Sequence, residues 1–173
     1  VDVTGCEALF GDPLSIAGNI MKNIMEELDL WCSVGIADNK FLAKMASEMK
    51  KPLGITVLWQ KDIKEKLWPL KVGDMYGIGK QTERKLLNNA IFTIGDLARS
   101  NKESLVKSFG KLGAELHNLA NGVDLRPVEP NPRHESKSIG RSTTLPSDIT
   151  DIDAAKTVIM KLSEEVGIES REY

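Results

Sequence analysis

Residues 33–55 read SVGIADNKFLAKMASEMKKPLGI, and this stretch decides how the chain folds. The apolar segment Trp31–Ile36 predicts a strand that leads into it, and Gly54–Leu58 predicts a second strand at its end. The residues between the two strands have the spacing of an amphipathic helix. That helix must end before Pro52, because the residue that precedes a proline is pushed out of the α region. The stretch therefore predicts a strand, a helix and a strand in succession.

The helix has an apolar stripe and a polar start. Phe41, Met45 and Met49 recur every four residues, which predicts that they form its buried side. Asp38 or Asn39 can cap the helix, since a short polar side chain there accepts hydrogen bonds from the free amides of the first turn. The helix is thus expected to begin close to residue 40.

Three lysines lie away from that stripe. Lys40 and Lys44 share another face of the helix, and Lys51 falls close to that face, at or just beyond the last turn. Lysines on one face of a helix usually lie in solvent, and their spacing alone gives them no other role.

The chain before and after this stretch differs in its periodicity. Val1–Thr4 predicts a short strand and Pro13–Leu30 a helix, so residues 1–58 are expected to form a β-α-β-α-β run. From residue 60 to residue 122 the strand signals are replaced by short helical patterns separated by glycines.

The last third of the chain begins with a proline-rich segment. Residues 124–135, DLRPVEPNPRHE, contain three prolines and no apolar period, which predicts a linker. After it, Ser138–Leu145 predicts a strand and Ile152–Val166 an amphipathic helix.

Residues 76–80, YGIGK, lie between two helical patterns and predict a helix-hairpin-helix motif. Gly77 and Gly79 would let the backbone approach a DNA phosphate, and the free amides at the start of the second helix would face the same anion. Lys80 and Thr82 could add direct contacts. Such contacts go to the nucleic-acid backbone, so they position DNA without reading its sequence.

Residues 109–113, FGKLG, predict a weaker second copy of this hairpin. Gly110 and Lys111 match its start, but the second glycine stands one residue further along. For the first hairpin, an ordinary turn is the alternative interpretation of an isolated Gly-x-Gly-Lys pattern. The spacing from Gly77 and Gly79 to Lys80 is too short for a nucleotide-binding P-loop.

The charge of the chain is unevenly distributed. Its net charge is −2, but residues 1–39 carry one lysine against seven acids, while residues 40–66 carry seven lysines against three acids. Affinity for phosphate depends on local lysines and arginines rather than on the overall sum, so a nucleic-acid partner is compatible with this composition.

The two cysteines and two histidines have no metal-ligand spacing. No apolar run is long enough to cross a membrane.

Four motifs together resemble the Y-family of translesion DNA polymerases. Residues 33–55 resemble the family's palm signature, and Val1–Gly5 resembles the palm strand that follows its catalytic Ser-x-Asp-Glu motif. Tyr76–Ala98 resembles the thumb, and Ser136–Leu145 resembles the first strand of the little finger. The motifs occur in the family's order across nearly the whole chain.

The resemblance implies an α+β fold with four regions. It implies the C-terminal part of a palm over residues 1–58 and an all-α helix-hairpin-helix thumb over residues 59–122. A linker would occupy residues 123–136, and the start of an α/β little finger would occupy residues 137–173.

The resemblance also assigns roles to individual residues. Lys51, the lysine of the Lys-Pro pair, would bind the triphosphate of the incoming nucleotide, and Ser138 and Arg141 would lie along the template backbone. Mg²⁺ in the parent enzyme would be held by carboxylates at positions that precede Val1. We therefore expect no catalytic or metal-binding residue, no bound Mg²⁺ and no primer extension in these 173 residues alone.

The expected function is translesion synthesis by a cytoplasmic DNA-directed DNA polymerase. Its partners would be primer-template DNA and a deoxynucleotide triphosphate, and a motif for a sliding clamp would lie beyond Tyr173. An open palm sheet invites pairing with another chain, so we expect dimers formed by edge pairing or swapping. The alternative function is a non-catalytic helix-hairpin-helix DNA-binding module.

Overall fold

Strands β1 (Val34–Ala37) and β2 (Ile55–Leu58) pair in parallel, and helix α3 (Lys40–Met49) connects them. Val34 lies opposite Ile55, and the Val34 amide donates to the Gly54 carbonyl at 2.9 Å. The predicted strand, helix and strand are therefore confirmed, with strand bounds that differ by one to three residues. Helix α3 ends at Met49 and Lys50 is extended, so the helix stops before Pro52, as predicted.

The structure is a computed structural model that describes residues 1–129 and 138–171, in two compact units, Val1–Pro130 and Asn131–Tyr173. The described helices and two 3-10 turns of the first unit are α1 (Glu7–Phe10), α2 (Pro13–Leu28), α3, a 3-10 turn at Gln60–Asp62, α4 (Ile63–Lys66), a 3-10 turn at Val72–Asp74, α5 (Lys80–Asn88), α6 (Ile94–Arg99), α7 (Lys102–Phe109) and α8 (Lys111–Ala120). The described part of the second unit contains α9 (Ile152–Glu169).

Strand β1 and helix α3 lie unusually close together at Gly35. A Cβ atom at this position would stand 1.9 Å from the Ala43 carbonyl oxygen and 2.5 Å from the Ser47 amide nitrogen. No side chain larger than hydrogen fits there unless the helix moves. Gly35 thus sets the distance between the sheet and α3.

Helix α3 belongs to the same hydrophobic core as the helices that follow it. Phe41, Leu42 and Met45 are at most 2% exposed, which confirms the predicted apolar stripe. They pack in one cluster with residues from β2 through α8: Leu58, Ile63, Leu67, Val72, Met75, Leu86, Ile91, Ile94, Leu97, Ala98, Leu105, Leu116, Leu119 and Ala120. The predicted boundary between residues 58 and 59 stays a prediction, but a single core crosses it.

The segment that follows α8 binds the N-terminus of α3, and we call this contact the Asp124 clasp. The Asn39 side chain caps the Leu42 amide at 2.9 Å and donates to the Gly122 carbonyl at 2.8 Å. The Phe41 amide donates to the Asp124 carboxylate at 3.0 Å. A carboxylate is favourable at the positive end of a helix. Asp124 thus binds a free amide of the first turn, where the sequence predicted only a local side-chain cap.

Arg126 completes the Asp124 clasp. Its guanidinium makes two contacts with the Asp124 carboxylate, Nε to Oδ1 at 2.7 Å and Nη2 to Oδ2 at 2.9 Å, and the Asp124 side chain is only 2% exposed. The pKa of Asp124 is lowered, first by the Arg126 side chain, with smaller contributions from backbone amides that include Phe41. The first residues of the predicted linker are thus held in place, and its residues 130–136 lie outside the described residues.

The strand predicted at Val1–Thr4 is wrong. These residues form a turn in which the Asp2 carboxylate accepts from the Thr4 amide at 2.9 Å and the Val3 carbonyl accepts from the Cys6 amide at 3.1 Å. A short polar side chain such as that of Asp2 offers the backbone a local partner, which favours a turn over a strand. The described sheet therefore has two strands, and the first 58 residues do not form the expected β-α-β-α-β run.

The strand predicted at Ser138–Leu145 is also wrong. Within the described residues 138–171 there is one helix and no strand. Alternation along a sequence predicts which faces a strand would have, but a strand also needs a neighbour to complete its ladder. The expected helix is confirmed as α9, which begins after Asp151, whose carboxylate caps the Ala154 amide at 2.9 Å.

The mixed α and β content agrees with the predicted α+β class.

Cys6 and Cys32 are half-buried free thiols. In the described residues, no helix combines the length and apolar character that a membrane crossing would need.

We predict that Gly35→Ala lowers the free energy of unfolding by about 3 kcal/mol, because the new methyl group would overlap the backbone of α3. Gly18→Ala is the matched control, since Gly18 lies within α2 and has open space where its Cβ would be. That control should gain up to about 1 kcal/mol of helix propensity. Urea unfolding of the three proteins measures the difference. Equal stabilities of Gly35→Ala and the wild type would contradict the close approach.

We predict that Asp124→Asn destabilises the chain by roughly 1–3 kcal/mol at pH 7, because it removes the charge that binds Arg126. The folded pKa of Asp124 is depressed, so its contribution is present above the unfolded value of about 4 and is lost as the pH falls through the folded pKa. The gap between variant and wild type should therefore narrow below about pH 4. Urea unfolding from pH 7 to pH 3 measures this difference in stability, with Asp74→Asn at an exposed position as the control. A gap that stays constant with pH would contradict this account.

Candidate nucleic-acid interface

The first predicted hairpin is formed as a tight turn that leads into α5. Gly77 has a φ of 94°, a left-handed conformation that glycine adopts without strain. Ile78 is half-buried, packs against the core, and donates its amide to the Met75 carbonyl at 3.0 Å. This apolar anchor holds the turn, while Gly77, Gly79 and Lys80 lie exposed and Thr82 is half-buried at the start of the helix.

The N-termini of α5 and α8 differ from those of the other described helices that are longer than four residues. Among described helices longer than four residues, these two alone have no side chain that accepts a hydrogen bond from the first turn. Each follows a glycine, Gly79 or Gly110, and each begins with a lysine, Lys80 or Lys111. Uncapped amides at a positive helix end, with a lysine beside them, form a favourable position for a phosphate.

The second hairpin has a different geometry from the first. Gly110 alone separates α7 from α8 and has a φ of 63° and a ψ of −142°. Gly113 lies buried within α8, and a Cβ there would stand 2.2 Å from the Leu105 carbonyl oxygen. Gly113 therefore lets α8 pack tightly on α7, and the exposed residues of this hairpin are Gly110, Lys111 and Leu112.

Lys51 lies beside an open depression at the C-terminal end of α3. The depression has a volume of about 390 Å³, and its lining includes Ser33, Lys44, Glu48 and Lys51. The Lys51 side chain is 55% exposed, and its Nζ atom lies 2.6 Å from Glu48 Oε2. The predicted triphosphate lysine is thus accessible, and it already has an anionic partner.

Glu48 binds two lysines at once. Its Oε1 atom lies 2.5 Å from Lys44 Nζ, while its Oε2 atom binds Lys51. These contacts, Lys44 first and Lys51 second, lower the pKa of Glu48 to about 2. The carboxylate therefore stays ionised at neutral pH, and the three side chains together carry one positive charge.

The first hairpin contacts α3 at Lys44 and Met45. The Tyr76 amide donates to the sulfur of Met45 at 3.2 Å, and Lys44 Nζ lies 5.8 Å from the centre of the Tyr76 ring. Lys44 therefore stands between the hairpin and Glu48. Lys40 instead donates to the Pro127 carbonyl at 3.1 Å, next to the Asp124 clasp.

The remaining predicted site residues lie in the second unit. Ser138 is exposed, and Arg141 pairs with Glu169 through an Nη2–Oε2 distance of 2.8 Å. Arg141 is 48% exposed, so its guanidinium can also reach solvent. Their contact with DNA stays a prediction.

Sequence reasoning missed two of the residues that surround Lys44 and Lys51. Glu48 is four residues after Lys44 and three before Lys51, a helical spacing that could have indicated both ion pairs. Tyr76 lay within the quoted hairpin, but its contact with Lys44 joins positions 32 residues apart in the chain and has no local signal.

No three His, Cys, Asp or Glu side chains come together as a metal site in the part of the chain that the structure describes. The described residues therefore do not fit the carboxylate set that the family resemblance implies for Mg²⁺.

Three family models match the chain in sequence. Residues 1–48 match the impB/mucB/samB family, and residues 61–90 match the IMS family HHH motif. Residues 136–173 match the C-terminal domain of the impB/mucB/samB family. The HHH match includes the whole first hairpin and α5.

Curated relatives align with the chain over its full length. It is 57% identical over 173 residues to a DNA polymerase IV of Clostridium kluyveri, covering 100% of this chain and 43% of the relative. It is 49% identical to a DNA polymerase IV of Alkaliphilus oremlandii, covering 100% of this chain and 44% of the relative. The chain thus spans less than half the length of these relatives.

A solved structure of a Y-family DNA polymerase chimera has the same fold. It superposes with a TM-score of 0.77 at 31% sequence identity, over 96% of this chain and 48% of the chimera. The likeness to this structure, the three family matches and the full-length alignments agree with one another. The chain belongs to the impB/mucB/samB family, the Y-family of DNA polymerases.

Proposed function

We propose that this chain is the part of a translesion DNA polymerase that binds primer-template DNA and the triphosphate of the incoming nucleotide. The observation that carries the proposal is the pair of uncapped, glycine-led helix N-termini at α5 and α8, each starting with a lysine. The other described helices of comparable length use their first amides for side-chain caps. Helix ends left open in this way have donors available for phosphate oxygens.

The DNA contacts would position the duplex rather than read it. Gly77, Gly79, Lys80 and Thr82 of the first hairpin would bind one stretch of backbone, and Gly110 and Lys111 of the second hairpin another. In the second unit, Ser138 and Arg141 would bind the template backbone, which requires Arg141 to divide its donors between Glu169 and a phosphate. Contacts to phosphate carry no sequence information, and this suits an enzyme that must follow any template, damaged or intact.

Lys51 would bind the triphosphate of the nucleotide. Support comes from its exposure, from the open depression beside it and from its place just after α3, which Gly35 and the core hold in position. A lysine ammonium is a compact charge that suits a phosphate oxygen. Mg²⁺ would supply the charge stabilisation of nucleotidyl transfer in the whole enzyme, but the described residues offer no ligand set for it.

A chimera tests the polymerase proposal directly. The 43% of the Clostridium kluyveri enzyme that aligns with this chain is replaced by these 173 residues, and primer extension is measured with Mg²⁺ and four nucleotides. We expect extension comparable with that of the unaltered relative. A folded, soluble chimera that binds DNA but extends no primer would count against the proposal.

In that chimera we predict that Lys51→Ala raises the KM for nucleotides by about tenfold, with a smaller effect on kcat. A charge-assisted contact contributes roughly 1.5–3 kcal/mol, and the exposure of Lys51 places the effect at the lower end. The triphosphate is charged in both the bound state and the transition state, so the loss belongs to KM.

Lys50→Ala is the matched control for this experiment, since Lys50 is the exposed neighbour of Lys51. We expect it to leave the nucleotide KM close to that of the unsubstituted chimera. If Lys51→Ala instead weakens primer-template binding tenfold and leaves the nucleotide KM unchanged, Lys51 belongs to the DNA surface.

We predict that the 173-residue chain binds duplex DNA of any sequence, and that its affinity falls by about one to two orders of magnitude between 50 and 200 mM salt. Lys80→Ala should weaken binding equally for unrelated sequences and reduce the salt slope by about one. Fluorescence anisotropy with two labelled primer-templates measures both effects. Lys22→Ala, on α2 in the acidic region, is the control. Binding that does not change with salt would rule out the phosphate contacts.

The setting of the whole enzyme also belongs to this proposal. It would act in the cytoplasm, and a sliding clamp would be among its partners. Self-association of the chain by edge pairing or swapping stays a prediction, which light scattering at several concentrations can test.

A further inference from the structure

The Glu48 carboxylate occupies the position that an anion would take between Lys44 and Lys51. It binds one lysine through each oxygen, at 2.5 Å and 2.6 Å. A phosphate group would make the same kind of contact with a lysine ammonium, oxygen to nitrogen and charge to charge. Glu48 is therefore an internal counter-ion at the lysine to which the triphosphate role is assigned.

The ion pairs of Glu48 are exposed enough to exchange. The side chains of Lys44, Glu48 and Lys51 are 44%, 39% and 55% exposed, and the open depression lies beside them. Exposed ion pairs contribute little net stability, because water screens them and two side chains must be ordered. A polyphosphate that carries several negative charges can therefore compete with one carboxylate for Lys51.

Lys44 provides an alternative partner for the carboxylate. Its Nζ atom is held on one side by Glu48 and on the other lies over the Tyr76 ring at 5.8 Å. The Tyr76 backbone is in turn fixed to α3 through Met45. When Glu48 leaves Lys51, it can remain paired with Lys44, so no bare carboxylate is left beside the incoming anion.

We propose that Glu48 is a positioning residue for Lys51: it orients the lysine in the absence of nucleotide, is displaced from it by the triphosphate, and is then retained by Lys44. This proposal rests on the proposed role of Lys51 in nucleotide binding. Glu48 consequently lowers the affinity for triphosphate, because binding requires the exchange of one ion pair for another. Lys44 limits that loss.

Binding of inorganic triphosphate to the 173-residue chain tests the proposal, with the Lys51 ammonium signal followed by nitrogen NMR. We expect Lys51→Met to weaken binding and Glu48→Gln to tighten it two- to fivefold. In a Lys51→Met background, Glu48→Gln should have no effect, because the ion pair that it removes is already absent. Glu26→Gln is the matched control, since it removes a carboxylate with an i,i+4 lysine partner on α2, and it should leave binding unchanged.

Two measurements separate positioning from a general effect of charge. Without any ligand, the order parameter of the Lys51 ammonium group should fall in Glu48→Gln, because the lysine loses its partner. Lys44→Met should weaken triphosphate binding, and this effect should be smaller in a Glu48→Gln background, since Lys44 acts through Glu48.

The outcomes distinguish this proposal from the one on which it rests. If Lys51→Met leaves triphosphate binding unchanged, the nucleotide role of Lys51 fails, and the role of Glu48 fails with it. If Lys51→Met weakens binding while Glu48→Gln leaves it unchanged or weakens it, the nucleotide role stands and the counter-ion proposal is overturned. Tightening by Glu48→Gln that persists without Lys51 would also overturn it, since only long-range repulsion would then be at work.

Discussion

The contact between Gly35 and the backbone of α3 is the constraint on which the rest of the structure depends. A hydrogen atom in place of a side chain lets β1 approach the Ala43 carbonyl, and this fixes α3 against the sheet. The opposite side of α3 carries Phe41 and Met45 into the core shared with the later helices. One helix therefore sets the positions of the sheet, the first hairpin and Lys51 relative to one another. If the distance between α3 and β1 changed, the predicted phosphate contacts of the first hairpin and of Lys51 would move with the helix.

The ends of the helices show how stability and binding are divided in this chain. At α3 the Leu42 amide is capped by Asn39 and the Phe41 amide binds Asp124, and the result is a fixed junction between distant parts of the first unit. At α5 and α8 the same kind of helix end has only a glycine before it. A capped end stabilises the fold, whereas an open end leaves donors for a ligand. In the described helices longer than four residues, the residue before the helix thus separates structural ends from candidate binding ends.

The three lysines on and just after α3 likewise have distinct surroundings. Lys40 reaches a carbonyl next to the clasp, Lys44 lies between Tyr76 and Glu48, and Lys51 faces the open depression. Each is partly exposed, so each contact is individually weak. What distinguishes them is which element supplies the partner. The proposed nucleotide role of Lys51 came from the family resemblance, and the proposed counter-ion role of Glu48 rests on its position between two of the three lysines.

The sequence alone determined the helix and strands of residues 33–58, the stop before Pro52, the first hairpin and α9, because periodicity, proline and glycine act through neighbours in the chain. It also determined the family, since the motifs stand in a specific order. Only the tertiary structure decided that Val1–Thr4 and Ser138–Leu145 are not strands among the described residues, because a strand requires a partner that no local pattern contains. The Asp124 clasp and the contact of Tyr76 with Lys44 were likewise decided by the fold. They join residues 83 and 32 positions apart, and a distance of that kind is set by the packing of the whole core.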